Sequence, residues 1–516
     1  MIKWLLTTGF FALLQCVHAQ LHLELLAHVP NDSGVTLAGC WHYVDDAGAE
    51  YALVGTRKGL DIYDVSVPTQ PVRKYQVPGL DNNWREVKVW NKHAYVGSEA
   101  QGSGITIVDL SHIADSIRWK VWFGDGPLAN QIQRSHTVGA VDGYLYVYGS
   151  TAPNNGAIIC SLQDPWNPTV VGNYTLNYLH DGFVRGDTLW GSEIYQGQFS
   201  VLHIADRSNP VLLMTQPTPA AFNHNSELSR SGSYLFTTDE KSFAPLASFW
   251  VEELDNIQLA DLYFPSQKPS FEVHNVRVFG DDFLVCPSYG GQLTIVDASD
   301  PTNLIETAWA VVGSSLVWDA DPYLPSGIVF ATAKAEGFFI FKPTYARAAR
   351  LRGQVRHALT GAPIGGARLY LLSTPNADTT LLNGHYATGA ALPGEYNLMV
   401  VKAGFDTLFT TVQLQAGQTD TLDLLLQPMA TSTTEGSKLV ARVYPTLVQQ
   451  ELTVETGSSG QQHRIQLVRL AEGKAWLDQR VQGPVCRLSV TGVPPGVYAV
   501  QLDGKLIGKV LIWSNR

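Results

Sequence analysis

Cysteine, charge and long apolar runs are all scarce in this sequence of 516 residues. Its 5 cysteines are too few and too widely spaced for a disulfide framework. Charged residues make up 16% of the chain, the formal net charge is -11, and Lys and Arg form no cluster. This excludes nucleic acid as a partner, because phosphate binding needs concentrated cations. No apolar run beyond the N-terminus is long enough for a membrane helix, which predicts no transmembrane span.

Common catalytic signatures are also absent. The sequence contains no HExxH, no CxxC and no GxSxG, so it lacks the zinc-protease helix, the paired-thiol site and the nucleophile elbow. What it does contain is 45% hydrophobic residues together with 46 Gly and 27 Pro. That composition excludes wholesale disorder and favours an all-β protein built from many short strands and turns.

The first nineteen residues have the pattern of a secretory signal peptide. Lys3 precedes an apolar run over residues 4–14, and the segment ends with Val17, His18 and Ala19. A cation, a short apolar stretch and a small-residue cleavage site are the three parts of such a signal. We therefore expect cleavage after Ala19 and an exported protein.

An internal repeat follows. Similar strands recur, such as GLDIYDVS at 59–66, GITIVDLS at 104–111 and QLTIVDA at 292–298. A second signature, usually containing His, stands upstream of each strand at His42, Glu86, His136, His180, His224, His274 and Trp318. The spacings of 44 and 50 residues predict one four-stranded blade per repeat, hence a seven-bladed β-propeller. The strand-like segment 23–30 has no blade of its own, so we expect it to complete the last one.

The repeat also carries a family resemblance. The Ile-Val-Asp strands resemble LVIVD repeats, and WREVKV at 84–89 with SEAQGSG at 98–104 resembles the choice-of-anchor B family. The resemblance covers roughly residues 21–343. It implies a propeller with a variable C-terminal anchor, and it implies no particular activity.

Two small β-modules are expected after the propeller. NGHY at 383–386, LPGEY at 392–396 and KAGF at 402–405 resemble the carboxypeptidase regulatory-like domain, usually a structural spacer. Further on, YPTL at 444–447 and VPPGVYAV at 493–500 resemble the C-terminal sorting domain of type IX secretion. That resemblance implies a Bacteroidota-type bacterium, passage through the type IX machinery, removal of the sorting domain and attachment at the outer-membrane cell surface.

The predicted fold class is therefore all-β, a seven-bladed β-propeller followed by two small β-sandwich domains. The predicted division is a signal peptide at 1–19, the propeller at 20–345, the regulatory-like sandwich at 350–428, a linker at 429–437 and the sorting domain at 438–516.

In a propeller, residues at equivalent positions of successive repeats lie together at one end of the central channel. The innermost strand starts at the same end of the central channel at which the antiparallel second strand finishes. The residues expected at this mouth are His42, Glu86, Glu99, His136, His180, Asp181, Glu193, His224, Asp239 or its neighbour Glu240, His274, Tyr289 and Asp319. Trp41, Trp84, Tyr195 and Trp318 are expected near the same rim.

Five of these positions hold His, and three interpretations stay open. The imidazoles hydrogen bond within or between blades, or they bind a metal or an anionic ligand, or one of them acts in catalysis. Neutral imidazole is a common ligand of zinc, copper, iron and nickel. Because a seven-bladed channel is wide, a metal cluster would use neighbouring blades, and we nominate His136, His180 and His224, with Asp181 beside them. No other cofactor is indicated.

The function expected first is a secreted, surface-anchored binding module whose ligand, a glycan, a peptide or a metal-bearing small molecule, meets the His-rich mouth. One alternative is a metal-assisted hydrolase or lyase with Glu193, Glu86 or a ring His as general base. Another is a structural surface protein with an inert ring. The sequence favours a non-enzymatic role without deciding the matter.

Overall fold

The computed structural model describes residues 20–152, 156–267, 269–280, 282–314, 316–429, 441–445, 447–456, 460–469 and 474–512. The predicted signal peptide and residues 430–437 of the predicted linker lie outside the described residues. The described part is almost entirely β-structure, with one short 3-10 helix at Gly126–Leu128. The predicted all-β fold class is confirmed.

Seven small antiparallel sheets succeed one another along the described residues 20–343. The chain starts with β1 (Gln20–Leu21) and β2 (Leu23–Val29), which join later sheets. Blades 1 to 3 are β3 (Leu37–Val44), β4 (Glu50–Thr56), β5 (Gly59–Asp64) and β6 (Val72–Pro78); β7 (Arg85–Trp90), β8 (His93–Ser98), β9 (Ile105–Asp109) and β10 (Arg118–Trp122); and β11 (Thr137–Val141), β12 (Tyr144–Tyr148), β13 (Ala157–Ser161) and β14 (Thr169–Tyr174).

The next two blades follow the same order. They are β15 (Asp181–Arg185), β16 (Thr188–Glu193), β17 (Gln198–His203) and β18 (Val211–Pro217), then β19 (Asn223–Leu228), β20 (Tyr234–Asp239), β21 (Leu246–Trp250) and β22 (Gln258–Tyr263). Blade 6 has a divided inner strand and consists of β23 (Glu272–Val273), β24 (Arg277–Phe279), β25 (Phe283–Tyr289), β26 (Gln292–Asp297) and β27 (Ile305–Val311).

The ring is closed by the N-terminal strands. Blade 7 is made of β28 (Val317–Asp321), β29 (Val329–Ala333) and β30 (Gly337–Pro343), and β2 supplies its fourth strand. Leu23 pairs with Pro343 and Val29 with Phe338, so the predicted closing strand is confirmed. In addition, β1 extends blade 6 by pairing with β27, which the sequence analysis does not predict.

The inner strands of the blades pack side by side around the axis. Contacts join β3 to β7, β7 to β11, β11 to β15, β15 to β19, β19 to β24, and β28 back to β3, while in blade 6 the second strand, β25, contacts β28. The core lies between neighbouring sheets; one cluster combines Leu53 and Ile62 of blade 1 with Val87 and Val108 of blade 2. Because each sheet has a partner on both faces, its strands are apolar on both sides, which explains the Leu-x-Ile-Val pattern.

The Asp that ends this pattern builds the turn after the third strand. The Oδ1 atoms of Asp64, Asp109 and Asp297 each accept a hydrogen bond from the backbone N–H two residues later, at 2.9–3.0 Å. Such Asx turns let a side chain satisfy the backbone where a strand ends.

Two small two-sheet units follow the propeller. In the first, β31 (Ala349–His357) pairs with β34 (His385–Ala390), β37 (Thr419–Thr421) and β38 (Leu424–Leu426), and the other sheet runs β33 (Ala377–Thr379), β32 (Arg368–Leu371), β35 (Gly394–Val401), β36 (Leu408–Leu414). Buried Leu351, Val355, Leu369 and Leu398 fill the space between its sheets.

The second unit has the same two-layer plan. Its sheets are β39 (Arg442–Tyr444), β41 (Glu451–Glu455) and β44 (Val485–Ser489), and β40 (Leu447–Val448), β46 (Lys505–Ile512), β45 (Gly496–Leu502), β42 (Gln462–Arg469) and β43 (Lys474–Gln482). No helix in the described residues is long and apolar enough to cross a membrane. The exact limits 20–345, 350–428 and 438–516 stay predictions.

Candidate functional site

Six inner strands bring one side chain each to the same end of the channel, which we call the upper mouth. His136 and His180 directly precede β11 and β15, and His274 directly follows β23. His224, Trp318 and Glu86 are each the second residue of an inner strand. The equivalent position therefore holds a polar or aromatic side chain in six consecutive blades.

Four of these side chains form a continuous arc, the His ring: His136, His180, His224 and His274. The ring centroids of successive members lie 3.8, 4.3 and 4.2 Å apart. Beyond them Trp318 lies 4.8 Å from His274, and its Nε1 donates a 2.9 Å hydrogen bond to Glu86 Oε1. Burial raises the pKa of Glu86 to about 7, which makes its protonated form accessible near neutral pH.

His42 is not part of the arc. In blade 1 the position beside Glu86 belongs to Gly39, where an added Cβ would collide with the Glu86 carboxylate. His42 lies three residues further along β3, and its Nδ1 is 2.8 Å from Asp321 Oδ2. The register of β3 against β4 shifts between Leu37 and Cys40, so the 44-residue spacing does not mark the equivalent position in this blade.

Three residues from the second strands reach the His ring. Glu99 Oε1 lies 2.6 Å from His136 Nδ1, which lowers the pKa of Glu99. The Glu240 carboxylate lies 3.9 Å from His224 Nε2 and 3.8 Å from His274 Nε2. Tyr289 stacks on His274 at 4.5 Å and donates a 3.2 Å hydrogen bond to Glu240 Oε1. Burial raises the pKa of Glu240.

Two predicted carboxylates have other partners. Asp239 accepts hydrogen bonds from Thr218 Oγ1 at 2.5 Å and from the Ala220 N–H at 2.8 Å, and it thereby holds the β18–β19 connection. Adjacent residues at a strand end point in opposite directions, so Glu240 reaches the axis and Asp239 does not.

Glu193 is fully buried within blade 4. It accepts hydrogen bonds from Asn177 Nδ2 at 3.0 Å and Gln198 Nε2 at 2.7 Å. These hydrogen bonds are to side chains of blades 3 and 4 and to the connection between them, and none of these partners is an imidazole of the His ring.

Asp181 and Asp319 form part of a layer below the ring. Asp181 Oδ2 accepts from Asn225 Nδ2 at 2.7 Å. Asp319 Oδ1 accepts from Asn275 Nδ2 at 3.1 Å and from the Arg277 guanidinium at 2.9 Å. These buried polar groups are paired with one another, as buried polar groups need to be, and they form the floor of the upper mouth.

The outward hydrogen bonds fix how the imidazoles are oriented. Nδ1 of His180 lies 3.3 Å from the His224 carbonyl oxygen, and Nδ1 of His274 lies 2.6 Å from the Trp318 carbonyl oxygen. Since a carbonyl oxygen only accepts, Nδ1 carries the proton in both rings, and Nε2 presents a lone pair. Burial lowers the pKa of His180 and His274 well below the ordinary value and that of His224 to about 3.

The donor atoms are close enough to share an ion. One nitrogen each of His136, His180 and His224 lie within 4.8 Å of one another, and so do donor atoms of His224, Glu240 and His274. The first group consists of the three residues that the sequence analysis nominates, while the contribution of Glu240 depends on a strand parity that the sequence does not reveal.

Aromatic residues and one lysine surround this mouth. Lys334 Nζ lies 4.3 Å from the Trp318 ring centroid and 5.2 Å from that of Trp84. Tyr178, which the sequence analysis does not single out, packs at 4.9 Å against Tyr195, whose side chain is 71% exposed. Trp41, expected here, lies instead near the opposite end of the channel, against Tyr323 and under Lys88 Nζ at 3.9 Å.

That opposite end, the lower mouth, faces the second domain. Tyr345, just beyond β30, packs against Phe279 and Phe283, at the end of β24 and the start of β25. Asp297, the last residue of β26, accepts hydrogen bonds from Arg350 at 3.0 Å and from the Ala348 N–H at 2.8 Å. The first sandwich is therefore joined to the face of the propeller that lies away from the His ring.

Comparisons with protein families agree with this architecture. Residues 48–77 and 273–308 match the LVIVD repeat, the second segment including His274. Residues 350–427 match the carboxypeptidase regulatory-like domain. The predicted resemblances to the LVIVD repeat and to this domain are confirmed, while those to the choice-of-anchor B family and to the type IX sorting domain stay predictions. No curated protein matches the chain. The chain thus combines LVIVD repeats and a carboxypeptidase regulatory-like domain, a combination that suggests a β-propeller-like surface or interaction protein.

Proposed function

We propose that this protein is a secreted, surface-anchored binding module that receives its ligand at the upper mouth. The observation that carries the proposal is the difference between the two faces of the propeller. The His ring lies toward one face, and the opposite face carries the second domain through Asp297 and Arg350. A module fixed through its lower face leaves the upper mouth free to meet a ligand.

The chemistry of the rim narrows the ligand. The Glu99 and Glu240 side chains are one-third and one-quarter exposed, and both approach imidazoles rather than cations. Trp84, which lies near Lys334, and Tyr195, which packs against Tyr178, are both exposed. Carboxylates accept hydrogen bonds and aromatic faces stack on apolar ring surfaces, so the rim suits a ligand with hydroxyl or amide groups on a flat framework. Glycans and peptides are the two classes that we propose.

Export and anchoring are part of the same proposal. The pattern of residues 1–19 supports secretion, and the motifs within 438–516 support recognition by the type IX secretion machinery and display at the outer-membrane cell surface. A matched test is to follow chains with and without residues 438–516 in a bacterium that has this machinery. Protease added to intact cells should digest the full chain at the surface, and loss of the C-terminal segment should abolish that digestion.

Ligand binding is tested with the full mature chain on glycan and peptide arrays. A variant with Trp84→Ala and Tyr195→Ala alters only exposed rim residues, and His42→Ala at the lower mouth is the matched control. We expect array binding that weakens at least tenfold in the rim variant and is unchanged in the control. Absence of binding by the wild-type chain, or equal binding by the rim variant, contradicts the proposal.

A second candidate function, metal-assisted hydrolysis, is favoured by Glu240. Its carboxylate lies within 3.9 Å of the Nε2 atoms of two imidazoles, and its raised pKa suits a group that accepts a proton from bound water. Zinc-loaded protein would then hydrolyse a 4-nitrophenyl ester, and Glu240→Gln would lose this activity while still binding zinc. Equal hydrolysis by the variant excludes this role.

A further inference from the structure

The fold does not require imidazole at the positions of the His ring. The equivalent position holds Gly39 in blade 1, Glu86 in blade 2 and Trp318 in blade 7, and all three blades form complete sheets. Packing therefore tolerates very different side chains at this level. Four consecutive imidazoles in the remaining blades need another explanation.

Each outward contact orients an imidazole as a metal ligand is usually oriented. Metal-bound His typically donates its second N–H to a carboxylate or a backbone carbonyl, which fixes the ring and its tautomer. Glu99 occupies that place for His136, and the carbonyl groups of His224 and Trp318 occupy it for His180 and His274. One nitrogen of each of His136, His180 and His224 lies within 4.8 Å of the others.

Some ring nitrogens are buried without a partner. His224 Nδ1 and His274 Nε2 have no hydrogen-bond partner among the described residues, and these residues are only 4% and 2% exposed. An unsatisfied buried acceptor or donor costs about 1–3 kcal/mol. A cation bound near the ring would offset this cost by coordinating or polarising these imidazoles.

We propose that the upper mouth binds one divalent first-row transition-metal ion through His136, His180 and His224. This deepens the proposed function, since it rests on the upper mouth being the binding site, and it makes the ion the first component that a ligand meets there. Imidazole donors suit zinc, copper, iron and nickel, whereas calcium and magnesium prefer oxygen ligands.

The charges around the three imidazoles match one divalent cation. Glu99 contacts His136 at one end, and Glu240 approaches His224 at the other. Two carboxylates in the outer shell match the two positive charges of the ion.

The second group, His224, Glu240 and His274, is the competing position. It shares His224 with the first, so the two positions are alternatives for one ion. Glu240 Oε1 there already accepts a hydrogen bond from the Tyr289 hydroxyl. An ion at the three-imidazole position leaves this hydrogen bond intact, which is why we assign the ion to it.

The test is metal titration of the full mature chain after removal of metal with a chelator. Zinc binding is measured by calorimetry and cobalt binding by visible absorption, with the free ions as probes. We expect one ion per chain in the wild type, and at least a hundredfold weaker binding in His180→Ala and His224→Ala. His274→Ala and the lower-mouth control His42→Ala should stay within a few-fold of the wild type.

Folding is followed separately. Circular dichroism identifies variants that fail to fold, and His180→Gln replaces His180→Ala if the cavity is not tolerated. Glu99→Gln should weaken binding about 10–100-fold, because it removes the carboxylate that orients His136. Zinc should raise the Tm of the wild-type chain and leave that of folded His180→Gln unchanged.

Three results overturn the assignment: no zinc or cobalt binding by the wild type, wild-type affinity in a folded His180 variant, or loss of binding in His274→Ala with retention in His180→Ala. Array binding by metal-free protein separates this inference from the proposed function. If glycan or peptide binding persists without any metal site, only the metal assignment fails. If the ion binds as expected and the arrays stay empty, only the wider function fails.

Discussion

The two faces of the propeller use buried polar groups in opposite ways. At the lower face, the Asp297 carboxylate is paired with Arg347 and Arg350, and each charge has an opposite charge within 3.0 Å. At the upper mouth, His180, His224 and His274 face one another, and the Glu240 carboxylate stays 3.9 and 3.8 Å from the Nε2 atoms of His224 and His274. At the lower face, paired charges hold the two domains together. At the upper mouth, imidazole nitrogens without a partner among the described residues remain available to a ligand.

The largest expected effect is at the lower face. Asp297→Ala leaves the Arg350 guanidinium, only 4% exposed, without its carboxylate, which costs about 3–5 kcal/mol. Urea unfolding of the full chain should show this loss in the free energy of unfolding, and limited proteolysis should cut faster near residues 343–350. Asp300→Ala is the control, because the Asp300–Arg352 pair is partly exposed and contributes less than about 1 kcal/mol. Equal effects of the two substitutions would remove the contrast between the faces.

A smaller effect is expected beside the His ring. Gly39→Ala places a methyl group against the Glu86 carboxylate, and overpacking of this kind costs about 1–3 kcal/mol. Glu86→Ala should relieve most of that cost, so a double-mutant cycle on the free energy of unfolding should show strong coupling. Additive effects of the two substitutions would mean that Glu86 does not occupy the space opposite Gly39.

The smallest effect concerns Glu227, near the lower mouth. Burial raises its pKa from 4.5 to about 7, although Arg277, the Tyr323 hydroxyl and Lys88 lower it in part. Because the folded-state pKa is the higher one, this group stabilises the fold fully below pH 4.5, and that contribution is lost as the pH rises through 7. Glu227→Gln should therefore be more stable than the wild type at pH 8, by on the order of 1 kcal/mol, and about equal at pH 4.

Unfolding curves of Glu227→Gln at several pH values measure this difference. Glu253→Gln, a substitution at an exposed position, is the control and should show no comparable trend. An unchanged pH slope in Glu227→Gln would show that this carboxyl is ionised in the folded protein.

Much of the fold could be predicted because the same pattern of strands and turns occurs in one blade after another. The Asp turns after β5, β9 and β26 punctuate the chain at blade intervals, and the unassigned segment at 23–30 pointed to ring closure. The pairing of β1 with blade 6 could not be predicted, because a strand of 2 residues carries no periodic signal.

The site was predictable only to the precision of the strand register. Sequence spacing placed His136, His180, His224 and His274 correctly relative to one another, because their blades share one register. It misplaced His42, where a register shift in β3 intervenes, and it could not choose between Asp239 and Glu240, where a single residue decides the direction. The sequence period gives the average geometry of the blades. The positions of the site residues depend in addition on local shifts in strand register.

The hybrid seventh blade has a consequence for biosynthesis. A ring nitrogen of His28, in β2, hydrogen bonds to the Glu336 carbonyl oxygen 308 positions away. During synthesis, β2 therefore has no partner strand until β30 has been made. The whole propeller must be translated before β2 and β30 can pair in blade 7. Pairing of strands so far apart in the sequence is slow. A circular permutant of the propeller alone, residues 20–345 beginning between β2 and β3, would make all four strands of that blade contiguous. It should reach the native ring sooner and at the same final stability.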